Sequence, residues 1–443
     1  MKNEITKQLS ELVLQYSFQQ LPEDVVIMAK AAVLDYLGCL IKGCDQPCSE
    51  ILACEFGIDS FSSQPLRQSE LKKVHGSNLA MLLATSGHAI DYDDTHLTIP
   101  AHIGSPVIGA LIALACDIDA RGEDLITAIV VGYELGGRVG AMLTPQHYEQ
   151  GFHTTGTVSV FSAAAACAKL LNLNLKQIQS VLGLASTMAS GIKCTFGTMA
   201  KPLNAGRAAA SGLMAAKLVK RGFTAPLDAM EADKGYLSLF LGMSSVDINI
   251  QPLNHYTILE NHFKFHAACH GVHPTIHGAL EIKETMALNI SDIESVEVTI
   301  APLIFKTASI VNPVSGLDGK FSIPYVVALV FLGFETSAEN SFTDSMLDNK
   351  ELMELLTKVK VKTCEDIPFY ESKIEVTAIN GETHTHLHDM SQSTVDNGLL
   401  LERLEPKFRA NVGDKLSETE KSKLVAGIFK LESLLSISKS IFN

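Results

Sequence analysis

The chain lacks the basic tract that marks nucleic-acid binding: 35 Lys and Arg stand against 49 Asp and Glu, a formal charge of −14. A field of that sign repels anions at long range, so an anion site must be a local gathering of Lys, His and helix N-termini. No Gly-rich dinucleotide fingerprint, P-loop, GxSxG elbow or HExxH occurs, which removes the usual signals for nucleotide phosphates, serine hydrolases and zinc peptidases. The nine cysteines form no CxxC pair, and Cys116 and Cys167 sit in apolar helical sequence. That usage suits packing in a reducing compartment. No solenoid-type repeat is visible. No basic-then-apolar leader opens the sequence, and the apolar run from Val107 to Cys116 is too short to cross a membrane. The expectation is a cytoplasmic protein with no nucleic-acid or membrane partner.

What is present is apolar and helical. With 443 residues, 47% hydrophobic and 19% charged, the chain can build two domains and a large core. Met1 to Phe18 reads as an amphipathic helix. Helical spacing recurs over Pro22–Leu40, Ser77–Ile90, Val107–Asp119, Glu123–Met142, Thr157–Leu171, Leu175–Met188 and Pro202–Arg221. Ser105 is expected as the cap, and Pro106 in the first turn, of the helix through Val107. A polar loop is expected at Ser60–Gln68. Near Phe263 the pattern changes: Glu294–Ile300 and Lys373–Ile379 alternate as strands, Val359–Val361 more weakly, with helices at Ile323–Leu332 and Leu352–Leu356. Helical spacing resumes from Glu402. The prediction is a mainly α chain, with a large all-helical domain from 1–262 plus 403–443 and a smaller α+β lid domain inserted at 263–402.

The chemistry concentrates between two apolar helices. His88, Asp91, Asp93, Asp94, Thr95, His96 and His102 fall within 15 residues. Buried, such groups need partners; exposed, they would be a solvated helix cap, and both readings stand at this point. Asp91 and Thr95, four apart, are expected on one helical face, with Asp93 and Asp94 turned away to cap or brace the loop. Three cations stand before three predicted helices: His102, His153 in Gly151–Gly156, and Lys201 ahead of Pro202. Free N–H groups and the helix dipole favour anions there and disfavour protonation of a neighbouring amine or imidazole. Together they predict a pocket for a substrate bearing several carboxylates; the alternative is that His153 and Lys201 are surface loop residues.

Histidines 262, 266, 270, 273 and 277 run at spacings of 4, 4, 3 and 4, but Gly271 and Pro274 interrupt them. One continuous helical face is therefore not expected, and pocket roles are favoured over a metal. His384, His386 and His388 alternate as on one face of a strand.

Five stretches resemble the MmgE/PrpD family: His88-Ala-Ile-Asp-Tyr-Asp-Asp-Thr95, Gly151-Phe-His-Thr-Thr-Gly156, Gly197-Thr-Met-Ala-Lys-Pro-Leu-Asn-Ala-Gly-Arg207, Cys269-His-Gly-Val-His273 and Lys320-Phe-Ser-Ile-Pro-Tyr325. The resemblance covers most of the chain in order. One departure is Ile103, where the family usually shows proline. The resemblance implies chemistry without metal or cofactor on small polycarboxylates, in a homodimer. The expected reaction is that of a lyase, decarboxylating cis-aconitate or dehydrating 2-methylcitrate. The alternative is an epimerase of an N- or S-succinyl amino acid such as iminodisuccinate. Carried over by motif, the catalytic residues are Lys201, His102, His153, His273 and Tyr325, with Asp91 and Thr95 binding substrate.

Overall fold

Apolar residues at three- and four-residue spacing become packed helices in the computed structural model, which describes residues 4–58, 61, 72–96, 98–242, 255–285, 290–308, 310–390 and 399–437. Of the loop expected at Ser60–Gln68, all but Phe61 lies outside the described residues. The chain divides into one unit of Met1–Phe263 with Asn397–Asn443 and a second of Lys264–Asp396.

In the first unit, helices α1 (Ile5–Gln15), α2 (Glu23–Gly43) and α3 (Pro47–Glu55) precede α4 (Gly76–His88), α5 (Gly104–Ala115) and α6 (Gly122–Leu143). Then come α7 (Ser159–Leu170), α8 (Leu175–Met188) and α9 (Ala200–Lys220). Each follows a stripe of aliphatic residues buried against its neighbours. By length and composition alone, α6 would be long and apolar enough to cross a membrane. It is longer than the run noted at Val107–Cys116, and 89% of its apolar window is buried inside the protein. It carries the buried ion pair of Arg138 with Glu134, 2.6 Å apart.

α9 packs along α4 and α7. The approach to α4 is close because Gly206 has no side chain: a Cβ there would overlap Thr85 Oγ1 and lie 2.6 Å from the Met81 carbonyl. That crossing sets the start of α9 beside the end of α4. Strands β1 (Thr95–His96) and β2 (Asn261–His262) pair antiparallel, Thr95 opposite His262.

The second unit holds α10 (His273–Thr285), β3 (Ile293–Ile300), α11 (Ile323–Leu332), α12 (Lys350–Thr357), β4 (Val359–Thr363), β5 (Glu371–Ala378) and β6 (Thr383–Asp389). The sheet runs β4-β3-β5-β6, with β3 and β4 parallel and the other pairs antiparallel. Val296, Val298, Ile300, Ile374 and Val376 form its buried side, and α10 lies across β5 and β6. β6 is an edge strand on which His384, His386 and His388 are half-buried while the residues between them are exposed. The five-histidine spacing does not make a helix: His262 is in β2, His266 in irregular chain, His270 in a 3-10 turn, and only His273 and His277 in α10.

The chain returns to the first unit as α13 (Leu400–Val412) and α14 (Glu418–Phe429). Leu404 and Phe408 bury α13 against α2. A capping box of Ser417 and Glu420 starts α14.

Candidate active site

The acidic stretch is neither a solvated cap nor a helical face. α4 ends at His88, and residues 89–94 turn before β1, so Asp91 and Thr95 do not share a helix. Asp91, Asp93, Asp94 and Thr95 are all buried. Asp91 takes φ +53°, a left-handed conformation that costs a non-glycine residue about 1–3 kcal/mol and persists only where surroundings enforce it.

Each residue of the turn is held by a different element. The Asp91 carboxylate lies 2.7 Å from Lys201 Nζ at the start of α9. The Tyr92 carbonyl accepts from Lys407 of α13 at 2.7 Å. Asp93 accepts from His88 Nδ1 at 2.8 and 3.1 Å and from Ser105 Oγ at 2.7 Å. Asp94 accepts from the Tyr133 hydroxyl, from Asn261 Nδ2 at 2.8 Å and from the Gly104 amide at 3.1 Å. Asp94 thus braces the loop as expected, but Asp93 does not turn away: it is the anchor of two imidazoles. Ser105 is likewise no cap. It sits within the first turn of α5, and its hydroxyl serves Asp93.

His102 stands two residues ahead of α5 and is flanked by both carboxylates, its Nε2 3.4 Å from Asp91 Oδ1 and its Nδ1 3.4 Å from Asp93 Oδ1. Its ring lies 4.3 Å from that of His88. An imidazole facing an anion at each nitrogen is suited to carry a positive charge and to donate in both directions. His153 caps a one-turn helix, Thr154–Thr157, ahead of α7, and is buried rather than a surface residue. Its Nδ1 pairs with Asn204 Nδ2 at 3.0 Å. Because the amide donates there, the ring proton resides on Nε2. Burial, and then the neighbouring Lys201, His88 and His102 charges, push its pKa well below the ordinary value, so His153 is neutral. Lys201 is the second residue of α9 rather than ahead of it, and is also buried.

Burial raises the Asp93 carboxyl, but the charges of and hydrogen bonds from His88 and His102 outweigh it and hold the group well below the usual carboxylate range. Asp94 goes the other way: burial, then the nearby Asp93 charge, raise it to about 7 against the three hydrogen bonds it accepts. Thr95 Oγ1 is buried with no hydrogen-bond partner among the described residues, and so is His88 Nε2. Such groups are rare in folded proteins and mark places where a ligand or a water completes the set.

The structure therefore brings together Asp91, His102, His153 and Lys201, and adds His88 and Asn204, for which no role was expected, and Asp93 and Ser105, expected only as a loop brace and a helix cap. Asn204 is one turn from Lys201 at i, i+3 on α9, a signal present in the sequence. The His88–Asp93 contact spans a turn whose geometry no spacing rule supplies. Donor atoms of His88, Asp91, Asp93 and His102 lie within 4.8 Å of one another, a set able in principle to ligate a divalent metal. Both Asp93 oxygens are already engaged and the Lys201 ammonium already neutralises Asp91, so a cation would have to displace these contacts.

His273 and Tyr325 belong to the second unit. His273 opens α10 in a cluster with His266 (rings 5.1 Å apart) and His270 (4.7 Å), and its Nε2 donates to the Ala268 carbonyl at 3.3 Å. Burial, then His270 and His266, lower it well below the ordinary value. The Tyr325 ring is fully buried and its hydroxyl donates to the Ser341 carbonyl at 2.7 Å. Burial raises that hydroxyl to about 12.

Comparison with known proteins agrees with these motifs. A cis-aconitate decarboxylase of Homo sapiens is 25% identical over 452 aligned positions, covering 98% of this chain and 93% of its own length. The cis-aconitate decarboxylase of Aspergillus terreus is 24% identical over 99% of this chain and 95% of its own. A cis-aconitate decarboxylase-like protein of Aspergillus oryzae is 28% identical over 71% and 68%. The MmgE/PrpD N-terminal domain matches residues 7–249 and the MmgE/PrpD C-terminal domain matches residues 266–429; the chain belongs to the MmgE/PrpD family.

Proposed function

We propose that the protein is a metal-independent lyase of a small polycarboxylate, and that decarboxylation of cis-aconitate is its reaction, with dehydration of a 2-methylcitrate-like hydroxy acid as the neighbouring chemistry. The observation that carries this reading is the Lys201–Asp91 pair, 2.7 Å apart, with His102 beside the same carboxylate oxygen. Two cationic donors meet at one carboxylate oxygen in a protein of net charge −14, the local gathering of donors that a polyanionic substrate needs.

In cis-aconitate the carbon–carbon bond to the carboxylate on the methylene breaks, and its electron pair forms the new alkene. The old alkene pair moves to the carbon beside a remaining carboxylate, which takes up the charge as an enolate and is then protonated. CO2 leaves, and one proton is consumed. The carbon gaining charge is a poor acid, so stabilising the enolate oxygens is the main task of the site. Lys201 and His102 hold that carboxylate, and this cationic pair is also the source of the proton. His153, neutral with its proton on Nε2, donates a hydrogen bond to the developing enolate. Its lowered pKa makes it a poor proton source, so proton transfer falls to its cationic neighbours. Thr95 Oγ1, buried and unpaired, hydrogen-bonds a second carboxylate.

Incubation in D2O with cis-aconitate, 2-methylcitrate and iminodisuccinate tests the reading. CO2 release from the first, or alkene absorbance from the second, supports it. Deuterium uptake into iminodisuccinate without elimination replaces it with epimerisation, and turnover of none of the three rejects it.

A further inference from the structure

One of the groups that hold the turn comes from far along the chain. Lys407 of α13 enters the first unit with its side chain 5% exposed, and its Nζ lies 2.5 Å from Asp35 Oδ1, whose side chain is 1% exposed. The same ammonium donates to the Tyr92 carbonyl at 2.7 Å and sits 4.0 Å from the centre of the Tyr92 ring. Tyr92 is the residue between Asp91 and Asp93. One cation therefore takes both the backbone and the ring of the residue that separates the two carboxylates of the site.

A buried ammonium is costly unless every donor finds an acceptor, and an aliphatic pair would pack this space without that cost. What the ammonium adds is a direction: it draws the Tyr92 carbonyl towards α13 and α2, immediately after the left-handed Asp91, φ +53°. With the backbone so turned, Asp91 meets Lys201, while His88 and Ser105 hold Asp93 on the far side.

We propose that Lys407, with Asp35 as its counter-ion, is a positioning residue of the active site: it fixes the Tyr92 carbonyl and thereby aims Asp91 at Lys201 and His102. The kinetic part of this inference rests on the lyase reading, whereas the structural part does not.

The test is the pair of double variants D35N/K407M and D35N/K407Q in the full chain. Both remove the two charges together, so neither strands a buried ion. The Gln variant keeps an N–H that can reach the Tyr92 carbonyl. In a crystal structure of D35N/K407M, Asp91 is expected to leave the left-handed region and the Lys201–Asp91 separation to open beyond about 4 Å, the limit for an ion pair. Turnover of cis-aconitate should fall about 10- to 100-fold in kcat with KM changed less than about 3-fold, as for a lost orienting contact. D35N/K407Q should recover part of that loss, which a merely space-filling Lys407 would not. An unchanged Asp91 and Lys201 geometry in D35N/K407M, or equal kcat in the two variants, overturns the proposal. If D35N/K407M does not fold, Lys407→Arg keeps the charge and shifts the donors, and the same two readouts decide. If no polycarboxylate is turned over, the lyase reading fails and the crystal structure alone still judges the role of Lys407.

Discussion

The Lys201 ammonium lies 2.7 Å from the Asp91 carboxylate, and Asp91 reaches it from a left-handed backbone conformation. The pair joins the start of α9 to the turn after α4, two elements that are more than 100 residues apart in sequence. It fixes the ammonium beside the carboxylate oxygen that His102 also faces, where the proposed substrate's enolate forms, and its disruption should be the most damaging change in the site.

Replacing Lys201 with Ala is expected to lower kcat at least about 100-fold, the low end for a group that transfers a proton. Thermal stability should not fall in proportion, because His102 still faces the Asp91 carboxylate. Steady-state kinetics of Lys201→Ala checks this, and near-normal turnover would refute the assignment.

Asn204 sets the proton of His153 on Nε2 by donating to Nδ1. Asn204→Asp replaces that donor with an acceptor and moves the ring proton to Nδ1. The hydrogen bond to the enolate is then lost, and kcat should fall about 100-fold or more, as when a wrong tautomer is imposed on a catalytic imidazole. Nitrogen-15 NMR of labelled histidine reports the tautomer directly. A variant with a switched tautomer and full activity would remove His153 from the mechanism.

Asp94, raised to about 7 by burial and by Asp93, gives a specific pH signature. Its folded pKa exceeds its unfolded value, so the folded state binds the extra proton between about pH 4 and about 7. Its contribution to stability is complete below that window and is lost as pH rises through 7, by an amount of about 1.4 kcal/mol per pKa unit. Asp94→Asn should flatten the fall. Denaturant melts at pH 5 and pH 8 measure it, and an equal pH slope in parent and variant would contradict the shift.

The second unit should respond in the opposite sense. Burial, then His277, lowers His266 to about 3, and His273 is lowered well below its ordinary value. The unfolded chain takes up these protons first, so stability present above about pH 6.5 is lost as pH falls towards 3. Calorimetry from pH 7 to pH 4 should show the unfolding transition of residues 264–396 moving to lower temperature. In His266→Gln the movement should be smaller.

Treatment with a strong chelator should leave turnover unchanged, because Lys201 supplies the charge on Asp91 that a metal would otherwise provide. Loss of activity that a divalent cation restores would instead assign His88, Asp91, Asp93 and His102 as ligands.

Much of this was legible in the residues. Helices follow directly from three- and four-residue spacing, and His102 and His153 stand before their helices as cap chemistry suggests. The turn at residues 89–94 was not legible as such. A four-residue interval between Asp91 and Thr95 reads as one helical face, but the helix ends at His88 and the chain turns with a left-handed φ at Asp91. The roles of His88, Asp93 and Ser105 were hidden for the same reason, since their contacts exist only once the turn has formed. Lys407 was invisible because it meets Tyr92 across 315 residues of sequence, a separation that no local pattern encodes.

The return of α13 to the first unit has a consequence for how the protein is made. Residues 264–396 must leave the ribosome before α13 can dock on α2, a delay on the order of ten seconds at typical elongation rates. Throughout that interval α2 lacks the helix that covers it, and Asp35 lacks its counter-ion. A nascent chain in this state shows apolar surface to the cell and is a natural client for a holding chaperone. A truncation anywhere before Lys407 would leave it in that state permanently.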